Sequence, residues 1–304
     1  MDMLSDILRL GGLTTAVLGH AKMYGDWGVL VQESSEMALH VMRKGECWFQ
    51  KDEASEPFLL AEGDILLATR GFSHGISDKP RRPLQELGDV LETMGRRASA
   101  KDDWSSYCEV LCAKYMVALP GGAPMIGRLP DLVHLKREHV AGQGRLTALL
   151  DILDAEARDG GGGSDLVVSR LVDTLLIFIL RRWFEVSGPA APAWYRALED
   201  PGVGAALAAV HNAPNEAWTI DQLAEIARQS RATFLRRFRE VTGEAPMAYV
   251  TRWRMALAAK ALKGSAIGVE QVAHEAGYDS AAAFSKAFRR AFGVSPRDYR
   301  LEMA

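Results

Sequence analysis

A chain of 304 residues that is 48% hydrophobic and 25% charged, with a net charge of −3, has the balance of an ordinary soluble protein of about two domains. Its longest apolar run, Leu175 to Leu180, lies between Asp173 and Arg181 and is too short to cross a bilayer, which excludes an integral membrane protein. Three cysteines without framework spacing, and no basic start followed by a long apolar stretch, point to a reducing cytoplasm and no signal peptide.

From about residue 26 to 120, short β-rich segments follow one another at close spacing. Trp27 to Val31, Met37 to Met42, Glu46 to Gln50, Phe58 to Leu60 and Ile65 to Ala68 are predicted strands. Lys44-Gly45 and Glu62-Gly63-Asp64 punctuate them as hairpin turns, and Tyr107 to Ala118 supplies one or two more strands. The pattern predicts an all-β sandwich or barrel with an internal cavity as its ligand site.

Leu39-His40-Val41, Gly45, Gly63-Asp64 and Gly71-Phe72-Ser73-His74 resemble a cupin jelly roll, and more narrowly the cupin sensor domains fused to AraC-type regulators. Metal-binding cupins resemble one another in carrying two histidines and a glutamate on one strand pair, then a further histidine. This chain has His40 and His74, but Met42 stands where the second histidine would be. Two imidazoles make a weak divalent site, so neither metal nor cofactor is expected. Both histidines then read as cavity-lining or hydrogen-bonded core residues.

Cys108 and Cys112, on one strand, would stand roughly 13 Å apart, too far for a disulfide. The Cys-x-x-Tyr stretch at Cys112 resembles a segment of cupin-fused oxidant sensors, which implies redox sensing through Cys112, with Cys47 as a second thiol. The alternative is that the cysteines are small buried hydrophobes. His40, His74, Cys47 and Cys112 are therefore the effector or redox candidates.

Gly127-Arg128-Leu129-Pro130 closes the predicted barrel, and helical periodicity follows. Arg145 to Arg158 forms one helix, Asp159 to Gly163 is a flexible break, and Ser164 caps a longer helix to about Val186. Val168, Leu171, Leu175, Phe178 and Arg182 follow a heptad seam, with Val172, Leu176, Ile179 and Leu180 as a second apolar flank. One face is expected on the barrel and the other against a second copy, giving a homodimer. Ser187 to Pro192 reads as a linker, and Asp200-Pro201 starts a new helix.

The last third is written twice. Phe234, Phe238, Gly243, Pro246 and Tyr249 recur as Phe284, Phe288, Gly293, Pro296 and Tyr299. Each copy reads as helix, short turn, helix, with Thr219 and Gln222 forming a capping box and Ser230 and Ser280 capping the second helices. Those helices expose Arg231, Arg236, Arg237 and Arg239 in the first copy and Lys286, Arg289 and Arg290 in the second. Residues 219–304 hold 14 Lys+Arg against 9 Asp+Glu, while the remainder holds 22 against 30. A basic module on an acidic body is the electrostatic footprint of nucleic-acid binding.

Ser230 to Phe238, Thr242-Gly243-Glu244-Ala245-Pro246, Arg252 to Ala256, and Ala276 to Ser280 through Phe292 to Arg300 resemble the AraC/XylS family of transcription regulators over about 100 residues. The resemblance implies two helices entering successive major-groove segments of promoter DNA, with RNA polymerase as a further partner. Its base readers fall on Ala232, Leu235 and Arg236 in one copy and on Ala281, Ala282, Ser285 and Lys286 in the other. Arg231, Arg237, Arg239 and Arg290 complete the expected DNA face. Arg228 stands in the turn where the family often has glycine.

The expected protein is multi-domain α+β and non-enzymatic: a cupin-like barrel (1–128), a helical dimerisation region (129–187), a linker (188–199) and an all-α DNA-binding domain (200–304) with helix-turn-helix units at 219–243 and 268–293. Its effector is an unknown small molecule or oxidant. The competing reading is a metal-dependent cupin enzyme with a vestigial DNA-binding domain.

Overall fold

The computed structural model describes residues 14–34, 36–99, 107–116, 129–188, 191–192, 195–197, 200–264 and 267–302. They divide into two compact units, one drawn from Leu13–Val117 and Leu129–Ser187, the other from Gly188–Ala304.

The first unit is a two-sheet barrel with helices on it. Its strands are β1 (Thr14–Tyr24), β2 (Gly28–Val31), β3 (Met37–Lys44), β4 (Glu46–Gln50), β5 (Phe58–Ala61), β6 (Ile65–Ala68), β7 (His74–Ser77) and β8 (Gln85–Glu86), then helix α1 (Leu87–Ser99), β9 (Tyr107–Met116) and β10 (Leu132–Leu135). One sheet runs β1-β9-β3-β6-β10 and the other β5-β4-β7-β2-β8. Between them lies a core that includes Met23, Trp27, Met42, Cys47, Phe49, Leu66 and Cys108. β3 is buried at six successive positions, from Met37 to Met42, because one of its faces points into the barrel and the other lies under helices.

The barrel carries strands beyond those expected, β1, β7, β8 and β10. Tyr107 to Met116 is one strand, and Ala118 lies outside the described residues. β10 extends the barrel past Leu129-Pro130, since Leu132 to Leu135 pair with Ala68 to Ile65. Gly127 and Arg128 lie outside the described residues. β1, with weak strand formers such as Gly19 and Ala21, is held by its pairing with β9 from Thr14↔Met116 to Tyr24↔Tyr107. That neighbour overrides local propensity.

Helices α2 (Arg137–Val140), α3 (Gly144–Asp159) and α4 (Ser164–Ser187) follow. α3 packs on α4, and α4 packs on β1 and β10. Tyr115 Oη donates to the Val172 carbonyl at 2.9 Å, and Arg43 reaches Asp154 at 2.5 Å and Asp151 at 2.8 Å, tying β9 to α4 and β3 to α3. α4 buries Val172, Leu175, Leu176, Ile179, Leu180 and Phe184. This is the expected second flank; of the heptad seam only Leu175 is fully buried, because the strands beneath set the inward face. Pro189 and Ala190 of the expected linker lie outside the described residues.

The second unit is all helical: α5 (Pro201–Asn212), α6 (Ile220–Ile226), α7 (Arg231–Thr242), α8 (Pro246–Gly264), α9 (Val269–Glu275), α10 (Ala281–Phe292) and α11 (Pro296–Glu302). Thr219 and Gln222 form the reciprocal capping box on α6, and the Ser230 and Ser280 hydroxyls accept from the Thr233 and Ala283 amides. Each such cap is worth about 1 kcal/mol. Gly243 and Gly293 end α7 and α10 in the left-handed conformation, at φ 78° and 82°. Phe284, Phe288 and Tyr299 pack with Met255, Leu262 and Val272, so α8 backs the second copy.

Candidate nucleic-acid interface and sensor cavity

The buried stripe of each repeated helix leaves the opposite face outward. On α7, Phe234 and Phe238 are buried while Arg231, Ala232, Arg236, Arg237 and Arg239 are exposed and Leu235 is half-buried. On α10, Phe284 and Phe288 are buried, Ala282, Lys286, Arg289 and Arg290 are exposed, and Ala281 and Ser285 are half-buried. Each of these two helices follows a short turn after a seven-residue helix, the arrangement that presents a helix to the DNA major groove.

The two faces differ electrically. On α7, Arg231 pairs with Asp221 at 2.6 Å, Arg236 with Glu240 at 2.8 Å, and Arg237 with Asp200 at 2.7 Å. Among the described residues, the side chains of Lys286, Arg289 and Arg290 on α10 make no ion pair. Arg237, exposed on the expected DNA face, also reaches back to α5. Asp200 caps α5 by accepting from the Gly202 and Val203 amides, and the same carboxylate holds the Arg237 guanidinium. Arg237 is thus a tether between α7 and α5, 37 positions apart in sequence, which a helical-wheel count cannot reveal.

The turns differ as well. Gly277 has φ 74°, and Arg228 adopts the same left-handed conformation at φ 53° without being glycine. A Cβ at position 277 would sit 2.9 Å from the Asn215 carbonyl and 3.1 Å from the Arg254 guanidinium. Arg254 is fixed in turn by donating to the Pro214 and Glu216 carbonyls.

Inside the barrel, a cavity of about 350 Å³ lies between β1, β2, β3, β9 and α1. Met23, Trp27, Val29, Ile76, Leu91 and Val110 make most of its wall, and His40 and Cys112 line it as well. His40 and Cys112 are direct cross-strand partners, and His74 comes from the facing sheet. The distances fix one proton arrangement. His74 Nδ1 lies 3.0 Å from the Phe72 carbonyl, which only accepts, so that nitrogen carries the proton. His74 Nε2 is then bare and accepts from His40 Nε2–H at 2.9 Å. His40 Nδ1 is left to accept from the Cys112 thiol at 3.3 Å. The chain is complete and uncharged. Burial pushes His40 well below its ordinary value, with His74 adding to the effect, and burial likewise lowers His74. Burial pushes the Cys112 thiol up to about 12.

Cys47 is elsewhere. Its thiol donates to Met42 Sδ at 3.4 Å and hydrogen-bonds Cys108, a contact that together with burial raises its pKa. Cys108 is thus the thiol that Cys47 on β4 touches, and Cys112 adds to the same shift from farther away. Among the described residues, no group of three His, Cys, Asp or Glu side chains is placed to hold a metal ion. The sequence reading missed α1, whose Leu87 and Leu91 close one side of the cavity. Leu87, Val90, Leu91 and Met94, at helical spacing, were the available signal.

The Cupin family model matches residues 2–185, and the helix-turn-helix domain model matches residues 223–302. A protein of Streptomyces lividans described as an AraC-like transcription regulator is 31% identical over 303 residues, covering 99% of this chain and 98% of its own. The HTH-type transcriptional regulator AlkR of Acinetobacter baylyi is 28% identical over 306 residues, covering 99% of both. The solved DNA-binding domain of AdpA, in complex with a target DNA, is 35% identical across 34% of this chain and 92% of its own, with a TM-score of 0.32. The chain belongs to the AraC-like transcription regulators, with a cupin domain ahead of a helix-turn-helix DNA-binding domain.

Proposed function

We propose that this DNA-binding regulator is a one-component switch: α7 and α10 read promoter DNA, and the barrel cavity takes the signal. The observation that carries the first half is the pair of matched helices, each with a serine cap, two buried phenylalanines and an outward basic face. Arg236 reads guanine from α7, with Ala232 and Leu235 in apolar contact beside it; Ala281, Ala282, Ser285 and Lys286 form the reading face of α10. Arg231, Arg239, Arg289 and Arg290 hold phosphates, which sets register without reading sequence.

The cavity supports a small molecule as the signal in preference to an oxidant. The thiolate is the form that reacts with oxidants, and both candidate thiols are held protonated, Cys112 at about 12 and Cys47 well above its ordinary value. The ligand shifts DNA occupancy only by its different affinity for two presentations of the DNA-binding units. The reading includes a homodimer through the outward face of α4, where Leu166 and Val167 are exposed. It also includes contact with RNA polymerase, as the family implies, in the cytoplasm. No helix among the described residues is long and apolar enough to cross a membrane.

Selection of bound duplexes from random DNA tests the core of this reading. Two short elements about 10 base pairs apart are expected, one helical turn. Arg236→Ala should relax one element and Lys286→Ala the other. Enrichment of no sequence, with binding lost on modest addition of salt, would leave only general attraction to phosphate and sink the assignment.

A further inference from the structure

The cavity is specific about the charge of what it accepts. Its volume of about 350 Å³ sits at the lower end of the roughly 300–1,000 Å³ that ligand sites span. The inner wall is made by Met23, Trp27, Val29, Ile76 and Val110, none of which hydrogen-bonds a ligand through its side chain except the Trp27 indole. Apart from the Trp27 indole, the polar side chains of the inner wall, His40 and Cys112, are already engaged. His40 has both ring nitrogens matched, one of them by His74 behind the wall, and the Cys112 proton is given to His40. An ion entering there would lose its hydration and find at most the single Trp27 N–H in its place.

The rim is equally closed to anions. Lys114 is the one ammonium lining the cavity, and its Nζ lies 3.1 Å from Glu36. His20 lies 2.7 Å from Glu109. Glu86 accepts from Gln32 at 2.7 Å but keeps its negative charge, so the entrance repels carboxylates and phosphates. Its screening by solvent leaves little attraction for a cation whose body must pass into the dry interior. Access runs past α1: Leu87 and Leu91 line the cavity yet stay 50% and 44% exposed, while Val90 and Met94 anchor the helix in the core.

We propose that the effector is an uncharged, predominantly apolar molecule, which buries its apolar end against Trp27 and Val110 and leaves any polar group at the mouth beside Gln32. This rests on the reading of the cavity as the effector site. It follows that the ligand's free energy comes from apolar area removed from water and not from ion pairing.

Three probes of equal length test the assignment on the full chain: 1-octanol, octanoate and octylammonium, followed by calorimetry and by the thermal unfolding midpoint. Octanol should bind and raise the midpoint, with octanoate and octylammonium weaker by about tenfold or more. Leu91→Glu, at a position 44% exposed on α1, should abolish octanol binding. Octanoate or octylammonium binding as tightly as octanol, and sensitive to Leu91→Glu, would overturn the charge class but keep the cavity as a ligand site. Binding of none of the three, or octanol binding indifferent to Leu91→Glu, would overturn the cavity reading itself.

Discussion

At the scale of single residues, the two turns of the helix-turn-helix units make opposite demands on one conformation. Arg228 holds φ 53° with a side chain that disfavours it, a cost of about 1–2 kcal/mol. Arg228→Gly should therefore raise the stability of the DNA-binding unit by about 1 kcal/mol, read from urea unfolding. Gly277→Ala should do the reverse by more, since the new Cβ meets the Asn215 carbonyl as well as the φ of 74°. Arg237 separates tether from reader. Its loss leaves the Asp200 carboxylate without its guanidinium, so Arg237→Ala should lower the unfolding midpoint while leaving the selected DNA sequence unchanged. A change in the selected sequence would make Arg237 a base reader as well as a tether.

At the scale of elements, α5 is held to α8 by an aromatic stack. His211 lies 3.7 Å from Trp253, ring centre to ring centre, and its Nε2 is 2.7 Å from Tyr249 Oη. Burial pushes the imidazole down from its ordinary 6.5 to about 3, so the folded unit binds that proton less readily than the unfolded chain. The stability tied to neutral His211 is complete above pH 6.5 and is lost as pH falls from there toward 3. Unfolding midpoints measured across that range should fall, and His211→Phe should flatten the part of the fall that belongs to this group. An unchanged slope in the variant would remove His211 from the account. In the barrel, the corresponding element is α1, where Val90 and Met94 fix a helix whose other face is spent on the cavity.

At the scale of the whole molecule, the two reading helices should contribute unequally to salt dependence. Lys286, Arg289 and Arg290 carry uncompensated charge, so alanine at any one that contacts phosphate should reduce the slope of log affinity against log salt by about 0.9. Arg231 and Arg236 already hold Asp221 and Glu240, so their charge is partly neutralised before DNA arrives and each contributes less to the slope. Filter binding or fluorescence anisotropy across a salt series reads both. Equal slopes for variants of the two helices would show that the ion pairs of α7 dissolve on DNA.

What the sequence determined by itself was the half of the protein governed by short-range rules. Thr219, Ser230 and Ser280 act on amides three residues away, Gly243 and Gly293 act on their own φ, and the fifty-residue repeat declares two copies of one unit. These signals need no distant partner. The barrel was legible as a class, through Gly45, Gly63 and the short β-rich runs, but β1, β10 and α1 were not, because their neighbours and not their residues hold them in place. The site divides along the same line. His40 and His74 are visible as polar residues in apolar surroundings, yet their proton chain joins groups 34 and 72 positions apart. Arg237 was legible as an exposed cation of the DNA face, but not its tie to Asp200, 37 positions earlier. Tertiary structure alone decided these roles, since a side chain's hydrogen-bond partner, and with it its charge and task, is chosen by what the fold brings within about 3 Å.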